Sequence, residues 1–332
     1  MASDDFPIQS NSAIAEQTVP NVGATRTSIA ILGTGVWGSA LATLAQSNQH
    51  PVQVWSRRGE ATLAEVVVDV DLVISAIAMK GVTEIAAQLQ ALHLPPEVIL
   101  VSATKGLDPD TMQTPSQIWQ EALPKNPVVV LSGPNLSQEI EQGLPAATVA
   151  ASTDLKAAER VQDVFASERF RVYTNADCLG TELGGTLKNV VAIAIGVCDG
   201  LQLGTNARSA LMTRALPEII RVGTHLGGKA ETFLGLSGLG DLLATCTSPL
   251  SRNYQVGYQL AHGKSLEQIL ANLKGTAEGI NTTNVLIDLA NRDAIAIPIS
   301  RLVYQLLNGK CSPQEAVAEL MARDLKPEAC LL

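Results

Sequence analysis

Aromatic side chains are scarce in this 332-residue chain, 3% against 46% apolar residues overall. Its cores must therefore be built mainly from Leu, Val, Ile and Ala, and the length leaves room for two of them. Cations are outnumbered, with 23 Lys and Arg against 32 Asp and Glu and a formal net charge of -9. That argues against nucleic acid or an anionic membrane surface as the main partner. Any anionic ligand has to be held by a few local cations. The five cysteines, Cys178, Cys198, Cys246, Cys311 and Cys330, are an odd number without a Cys-x-x-Cys pair. This usage suggests reduced thiols in a cytoplasmic protein. His50, His93, His225 and His262 have no ligand spacing among themselves or with the cysteines, so no metal is expected and a zinc alcohol dehydrogenase is excluded. No tyrosine is followed four residues later by lysine, which removes the Tyr-x-x-x-Lys pair of short-chain dehydrogenases. The best apolar run, Val190 to Cys198, is far shorter than the ~20 residues of a membrane span. Residues 1–26 hold Asp4, Asp5 and Glu16 among Pro, Ser and Asn, without a basic start and apolar core, and are read as a disordered tail.

What the chain does have begins at Ser28. Ile29 to Leu32 is an apolar run suited to a buried parallel strand, and Val36 to Gln46 carries aliphatic and small residues at helical spacing. Gly33, Gly35 and Gly38 lie between and within them as G-x-G-x-x-G. The first allows a tight turn, the second lets a pyrophosphate approach the backbone, and the third brings helix and strand together. The helix start offers free N–H groups to that pyrophosphate. With strand before and helix after, the turn reads as a dinucleotide site.

Further strands are expected at Pro51 to Trp55, Leu72 to Ile77, Val98 to Val101, Val128 to Leu131, Ala147 to Ala151 and Phe170 to Tyr173, with helical crossovers such as Val82 to Leu92 and Leu155 to Ala166. This alternation predicts a parallel, doubly wound Rossmann-like sheet over residues 27–178. Residues 179–332 carry no strand signal and are read as an all-helical substrate-binding and catalytic domain. The second strand ends in Arg57 and Arg58, with no acid until Glu60. Arginine there accommodates a 2′-phosphate, so NADPH is favoured over NADH. Lys105 and Gly133 fall at the carboxyl ends of later strands, where ligands of such sheets sit.

Lys188 is the one basic residue of an apolar helical stretch that begins Glu182-Leu-Gly-Gly-Thr-Leu-Lys-Asn. Its side chain leans over Gly184 and Gly185, two glycines that cost roughly 1 kcal/mol each in a helix. They suggest cleared space where a substrate meets the amine. Desolvation would lower the lysine pKa toward neutrality, and snorkelling to solvent is the competing reading. Asp241 follows a glycine-rich turn, a place usually explained by helix capping. Ser251, Arg252 and Asn253 combine a cap, a guanidinium and an amide at a helix start, the makings of a phosphate cradle.

Taken in order over about Ser28 to Arg323, the turn at Gly33, Glu182-Leu-Gly-Gly-Thr-Leu-Lys-Asn, Asn206-Ala-Arg-Ser-Ala-Leu-Met-Thr-Arg, Gly238-Leu-Gly-Asp-Leu-Leu-Ala-Thr-Cys-Thr-Ser and Ser251-Arg-Asn resemble the bacterial-type NAD(P)-dependent glycerol-3-phosphate dehydrogenases. The resemblance implies reversible hydride transfer between NAD(P)H and dihydroxyacetone phosphate, giving sn-glycerol 3-phosphate for phospholipid synthesis in the cytoplasm. It implies Lys188 as general acid and base, with Asp241 orienting it or the substrate hydroxyls. Lys105, Gly133, Asn135, Lys188, Asp241, Ser251, Arg252 and Asn253 fall on substrate positions. Gly33, Gly35, Val36, Trp37, Gly38, Arg57, Arg58, Lys105, Ser137, Arg252 and Glu278 fall on cofactor positions. The chain departs from the family between the second and third strands, where only Gly59 to Val70 remains of a longer segment, and at Asn135 and Ser137, where relatives more often have Ser or Thr and then Ala. Competing readings are a redox-sensing protein that binds NADPH without turnover and a related hydroxy acid dehydrogenase. A homodimer is the assembly considered.

Overall fold

The computed structural model describes residues 26–273, 275–325 and 327. All of the expected tail except Arg26 lies outside the described residues, as does Cys330. Seven strands form one sheet: β1 (Ile29–Leu32), β2 (Val52–Trp55), β3 (Leu72–Ser75), β4 (Ile99–Ser102), β5 (Val128–Ser132), β6 (Ala146–Ala151) and β7 (Phe170–Asn175). Their spatial order is β2-β1-β3-β4-β5-β6-β7. The chain winds one way from β1 to β2 and the other way from β3 onward, so β1 and β3 flank the switch point at which doubly wound sheets bind ligands. Between and around the strands run α1 (Val36–Ser47), α2 (Leu63–Val66), α3 (Val82–Ala91), α4 (Pro115–Ala122), α5 (Ser137–Glu141) and α6 (Leu155–Phe165).

The expectation of an all-parallel sheet needs one correction. Strand β6 pairs antiparallel with β5, while every other pairing is parallel. A parallel return requires a crossover, usually a full helix. The connection after β5 contains only the five-residue α5, and the chain doubles back on the same edge. The longer α6 then provides the crossover that sets β7 parallel to β6.

Alternate strand residues point to opposite sheet faces. Ile29, Ile31, Ile74, Val101 and Val129 pack with α1 and α6, whereas Ala30, Leu32, Val73 and Leu100 pack with α3 and with Trp119 of α4. The shortened Gly59 to Val70 segment is reduced to α2, a single turn whose Thr62 cap and Glu65 bond reciprocally.

From Cys178 onward the described residues form helices and loops: α7 (Cys178–Gly200), α8 (Gly204–His225), α9 (Asp241–Thr247), α10 (Arg252–Ala261), α11 (Leu266–Asn272), α12 (Glu278–Asp293), α13 (Pro298–Leu307) and α14 (Pro313–Met321). Helix α7 is long and apolar enough to cross a membrane, which the sequence reading did not expect. It is instead the central core helix, wrapped by α8, α9, α10 and α12 and buried along most of its length. Its first turns also meet β5 and α4, so one helix reaches both the sheet and the bundle.

Candidate active site

At the carboxyl end of β1 the three glycines differ in what surrounds them. Gly33 has φ +116°, and a Cβ there would stand 2.6 Å from the Ala76 carbonyl oxygen. A Cβ on Gly38 would run into the Gly33 carbonyl, whereas one on Gly35 would meet nothing within 4 Å. The open side of Gly35 is the cradle a pyrophosphate needs. Helix α1 starts without a capping side chain and without an acid in its first turn, leaving its N–H groups and positive dipole end for an anion. Val36 is exposed and Trp37 is half-buried beside this start. Arg57 and Arg58 stand exposed just beyond β2, the neighbouring strand. These residues fit a dinucleotide.

Hydrogen bonds carry the edge from this turn to the lysines. Gly33 abuts Ala76, the Thr104 hydroxyl donates to the Ile77 carbonyl at 3.0 Å, and Lys105 follows Thr104. Lys105 Nζ donates to Asp241 Oδ2 at 2.5 Å, and Lys188 Nζ donates to Oδ1 of the same carboxylate at 2.6 Å. Lys188 also bonds the Thr245 hydroxyl, one turn after Asp241 on α9. The Lys188 and Asp241 side chains are 7% and 3% exposed, so the amine does not snorkel to water, while Lys105 keeps 25%. Burial pulls the Lys188 ammonium down to about 8; Asp241 opposes the shift and Lys105 adds to it. Two ammonium groups sharing one carboxylate leave a net positive charge, suited to an anionic substrate.

Asp241 does not cap α9, because Gly240 occupies the cap position and the Asp241 carboxylate turns inward from the preceding π-helical turn, Leu236–Gly240. Gly184 and Gly185 do not leave empty space either. A Cβ on Gly184 would lie 2.8 Å from the Ser237 carbonyl oxygen, and one on Gly185 would crowd Ser132 Oγ and lie 3.2 Å from Lys105 Cε. The glycines let the turn before Asp241 and the stem of Lys105 close onto α7.

The Ser251 hydroxyl accepts the Tyr254 N–H and caps α10. Asn253 Oδ1 accepts the Gly279 N–H at 3.0 Å, tying the start of α10 to that of α12. Arg252 is exposed, its guanidinium beside Gly275. Glu278 opens α12 within reach of Gly106 and Met79. Burial raises its pKa against hydrogen bonds from Thr276 and the Met79 N–H and against the charges of Arg252 and Lys80. Two helix starts thus converge beside α7, since Gly279 packs on the carbonyl of Asn189, the residue after Lys188.

The loop after β5 is different. Gly133 presses its α-carbon against β6, where a Cβ would lie 2.9 Å from Thr148 Cα. Asn135 spends both ends of its amide on β6, donating to the Ala147 carbonyl at 3.2 Å and accepting from the Thr148 hydroxyl at 2.9 Å. Ser137 opens α5, half-buried, and α5 packs on α1. The sequence reading did not single out Thr245, Ser132 or Glu182. The Asp241 to Thr245 spacing, one helical turn, was the available signal for the first.

The comparisons agree with one another. Residues 28–63 and 58–158 match the family described as NAD-dependent glycerol-3-phosphate dehydrogenase N-terminus, the two stretches meeting at the shortened segment after Arg58. Residues 177–318 match the C-terminus of the same description. A protein of Acaryochloris marina named glycerol-3-phosphate dehydrogenase, NAD(P)+, is 70% identical over 304 residues, covering 92% of this chain and 98% of that one. One of the same name from Synechocystis sp. is 64% identical over 300 residues, covering 90% and 95%. The crystal structure of glycerol-3-phosphate dehydrogenase from Coxiella burnetii superposes with a TM-score of 0.86 at 33% identity, covering 90% of this chain and 99% of that one.

Proposed function

The chain belongs to the NAD-dependent glycerol-3-phosphate dehydrogenase family, and on that premise we propose that Lys188 moves the proton in reversible hydride transfer between NAD(P)H and dihydroxyacetone phosphate. The observation that carries this reading is the buried Lys188 amine, held by Asp241 and Thr245 beside the carboxyl edge of a dinucleotide-type sheet. The reduced nicotinamide, when bound, supplies the hydride. Gly33, Gly35, Val36, Trp37 and Gly38 would hold its pyrophosphate side, with Arg57, Arg58, Ser137, Arg252 and Glu278 as the other cofactor positions. The Lys188 ammonium donates to the ketone oxygen in reduction, and the amine takes the proton back in oxidation. Asp241 fixes the amine and Lys105 lowers its pKa. Arg252, the capped start of α10 and Lys105 supply positive charge for the phosphate, with Ser251 and Asn253 shaping that cradle and Gly133 lending backbone. The product, sn-glycerol 3-phosphate, would feed phospholipid synthesis, and a cytoplasmic location is part of the proposal. Loss of reduced-nicotinamide absorbance with dihydroxyacetone phosphate, and none with hydroxy or keto acids, tests the assignment. A binding protein without catalysis would give NADPH binding and no absorbance change.

Because Lys188 sits near 8, kcat/KM for ketone reduction should fall as pH rises through about 8, where the ammonium is lost. Oxidation needs the amine and should rise across the same interval. Profiles of both directions check this, and limbs of the same sign in both would contradict it. Arg57 and Arg58 make NADPH the preferred cofactor. Replacing both with alanine should cut kcat/KM for NADPH roughly ten-fold, the worth of a charge-assisted contact, and change NADH little. Equal efficiency of the parent enzyme with the two cofactors would contradict the preference.

A further inference from the structure

We infer that Glu182 is a positioning residue for the two lysines of the site, its buried carboxylate fixing the register of α7 against the carboxyl edge of the sheet. The inference deepens the assignment of Lys188 and rests on it. Glu182 is 1% exposed and points away from the helical bundle, toward β4 and α4. The Ser102 hydroxyl, at the end of β4, donates to Oε1 at 2.9 Å. The Ser116 N–H is shared between both oxygens at 3.1 Å, and the Ser116 hydroxyl donates to Oε2 at 2.5 Å. Ser116 lies in the first turn of α4, so the carboxylate occupies the anion site that a helix start offers. One turn farther along α7, the Thr186 hydroxyl oxygen accepts the Gly106 N–H at 3.1 Å. Between these bonds, Gly185 lies against the Lys105 stem.

Residues 182, 185 and 186 fall at i, i+3 and i+4, so they share one helix face. That face receives Ser102, Lys105 and Gly106, the strand end and loop that deliver Lys105 to Asp241. Lys188 leaves the same helix to meet the other oxygen of Asp241. The placement of one helix against one loop therefore sets both ammonium groups. Burial raises the Glu182 pKa, a cost that the hydrogen bonds from Ser116, Thr114 and Ser102 oppose. A positional role accounts for its presence.

Glu182→Leu tests position through readouts other than stability. With the parent active on dihydroxyacetone phosphate, the Leu variant should melt several degrees lower, because the buried Ser102 and Ser116 donors lose their acceptor, but the folded protein should keep its NADPH Kd within about three-fold while kcat falls about 10- to 100-fold, the scale of an ångström-sized misplacement. The limb of the reduction profile near pH 8 should move as well, because the spacing of the two lysines changes, and a merely structural role would not shift it. If the Leu variant does not fold, Ser102→Ala with Ser116→Ala keeps the carboxyl group and removes two of its hydroxyl donors, leaving Thr114 and the Ser116 N–H; kcat should then fall about three- to ten-fold. A folded Leu variant, or failing that the double alanine variant, with kcat within two-fold of the parent and an unmoved limb would overturn the inference. A parent inactive on the ketone, or an active Lys188→Ala, would instead remove the assignment on which it rests.

Discussion

Lys188→Ala is expected to abolish measurable turnover in both directions while NADPH still binds. Removing a positioned general acid and base costs roughly 10²- to 10⁴-fold, and no other described side chain shares the Asp241 and Thr245 contacts from α7. Lys105 is the nearest alternative amine, but it is bound to the opposite carboxylate oxygen and is partly solvated. The variant should fold, because Asp241 keeps Lys105 as a partner and so is not left as a bare buried charge. The cofactor is gripped mainly at the Gly33 turn and the start of α1, on other elements. Fluorescence titration should therefore give an NADPH Kd close to the parent's beside a lost rate. Unchanged turnover would remove the assigned role.

Asp241→Ala should be nearly as damaging and should also lower stability. It leaves two ammonium groups facing each other, one of them almost fully buried. Breaking a buried pair by deleting one partner typically costs about 3–5 kcal/mol. Lys105 can turn toward solvent, whereas Lys188 can relieve the cost only by losing its proton. Its pKa should fall further below about 8, since Asp241 is the group that holds it up. Any residual ketone reduction should then decline at lower pH than in the parent, with kcat down about 10²-fold or more from lost orientation. A thermal melt and a pH profile on the same preparation check both parts. A residual profile identical to the parent's would contradict the coupling.

How much of this was legible in the sequence depends on how local the chemistry is. The turn at Gly33, Gly35 and Gly38 was readable because strand, turn and helix requirements fall within a few adjacent residues. Lys188 stood out for a similar reason, as a single charge in an apolar helix. The direction of β6 was not readable, because it depends on how far the short link carrying α5 can carry the chain, not on the strand's own residues. The sharing of Asp241 was hidden by distance along the chain: Lys105 is 136 positions from it and Lys188 is 53. Gly184 and Gly185 announced a close approach without saying what approaches, and the Lys105 stem and the turn before Asp241 fill what the sequence suggested was substrate space. Asn135 came to notice only through the resemblance, and its two bonds to β6, which folds back beside it, depend on a pairing that its own loop does not announce. Glu182 lay in plain view within a motif, and only the fold shows that its carboxylate binds Ser102 and Ser116.

The central claim is spatial: the Lys188 amine faces a small phosphorylated ketone beside the dinucleotide turn. A crystal structure of the enzyme with NADP+ and dihydroxyacetone phosphate measures this directly. The account predicts Lys188 Nζ about 3 Å from the ketone oxygen, within hydrogen-bond reach, with the phosphate at the start of α10. A ketone oxygen out of reach of Lys188, or a phosphate seated away from Arg252, would contradict it.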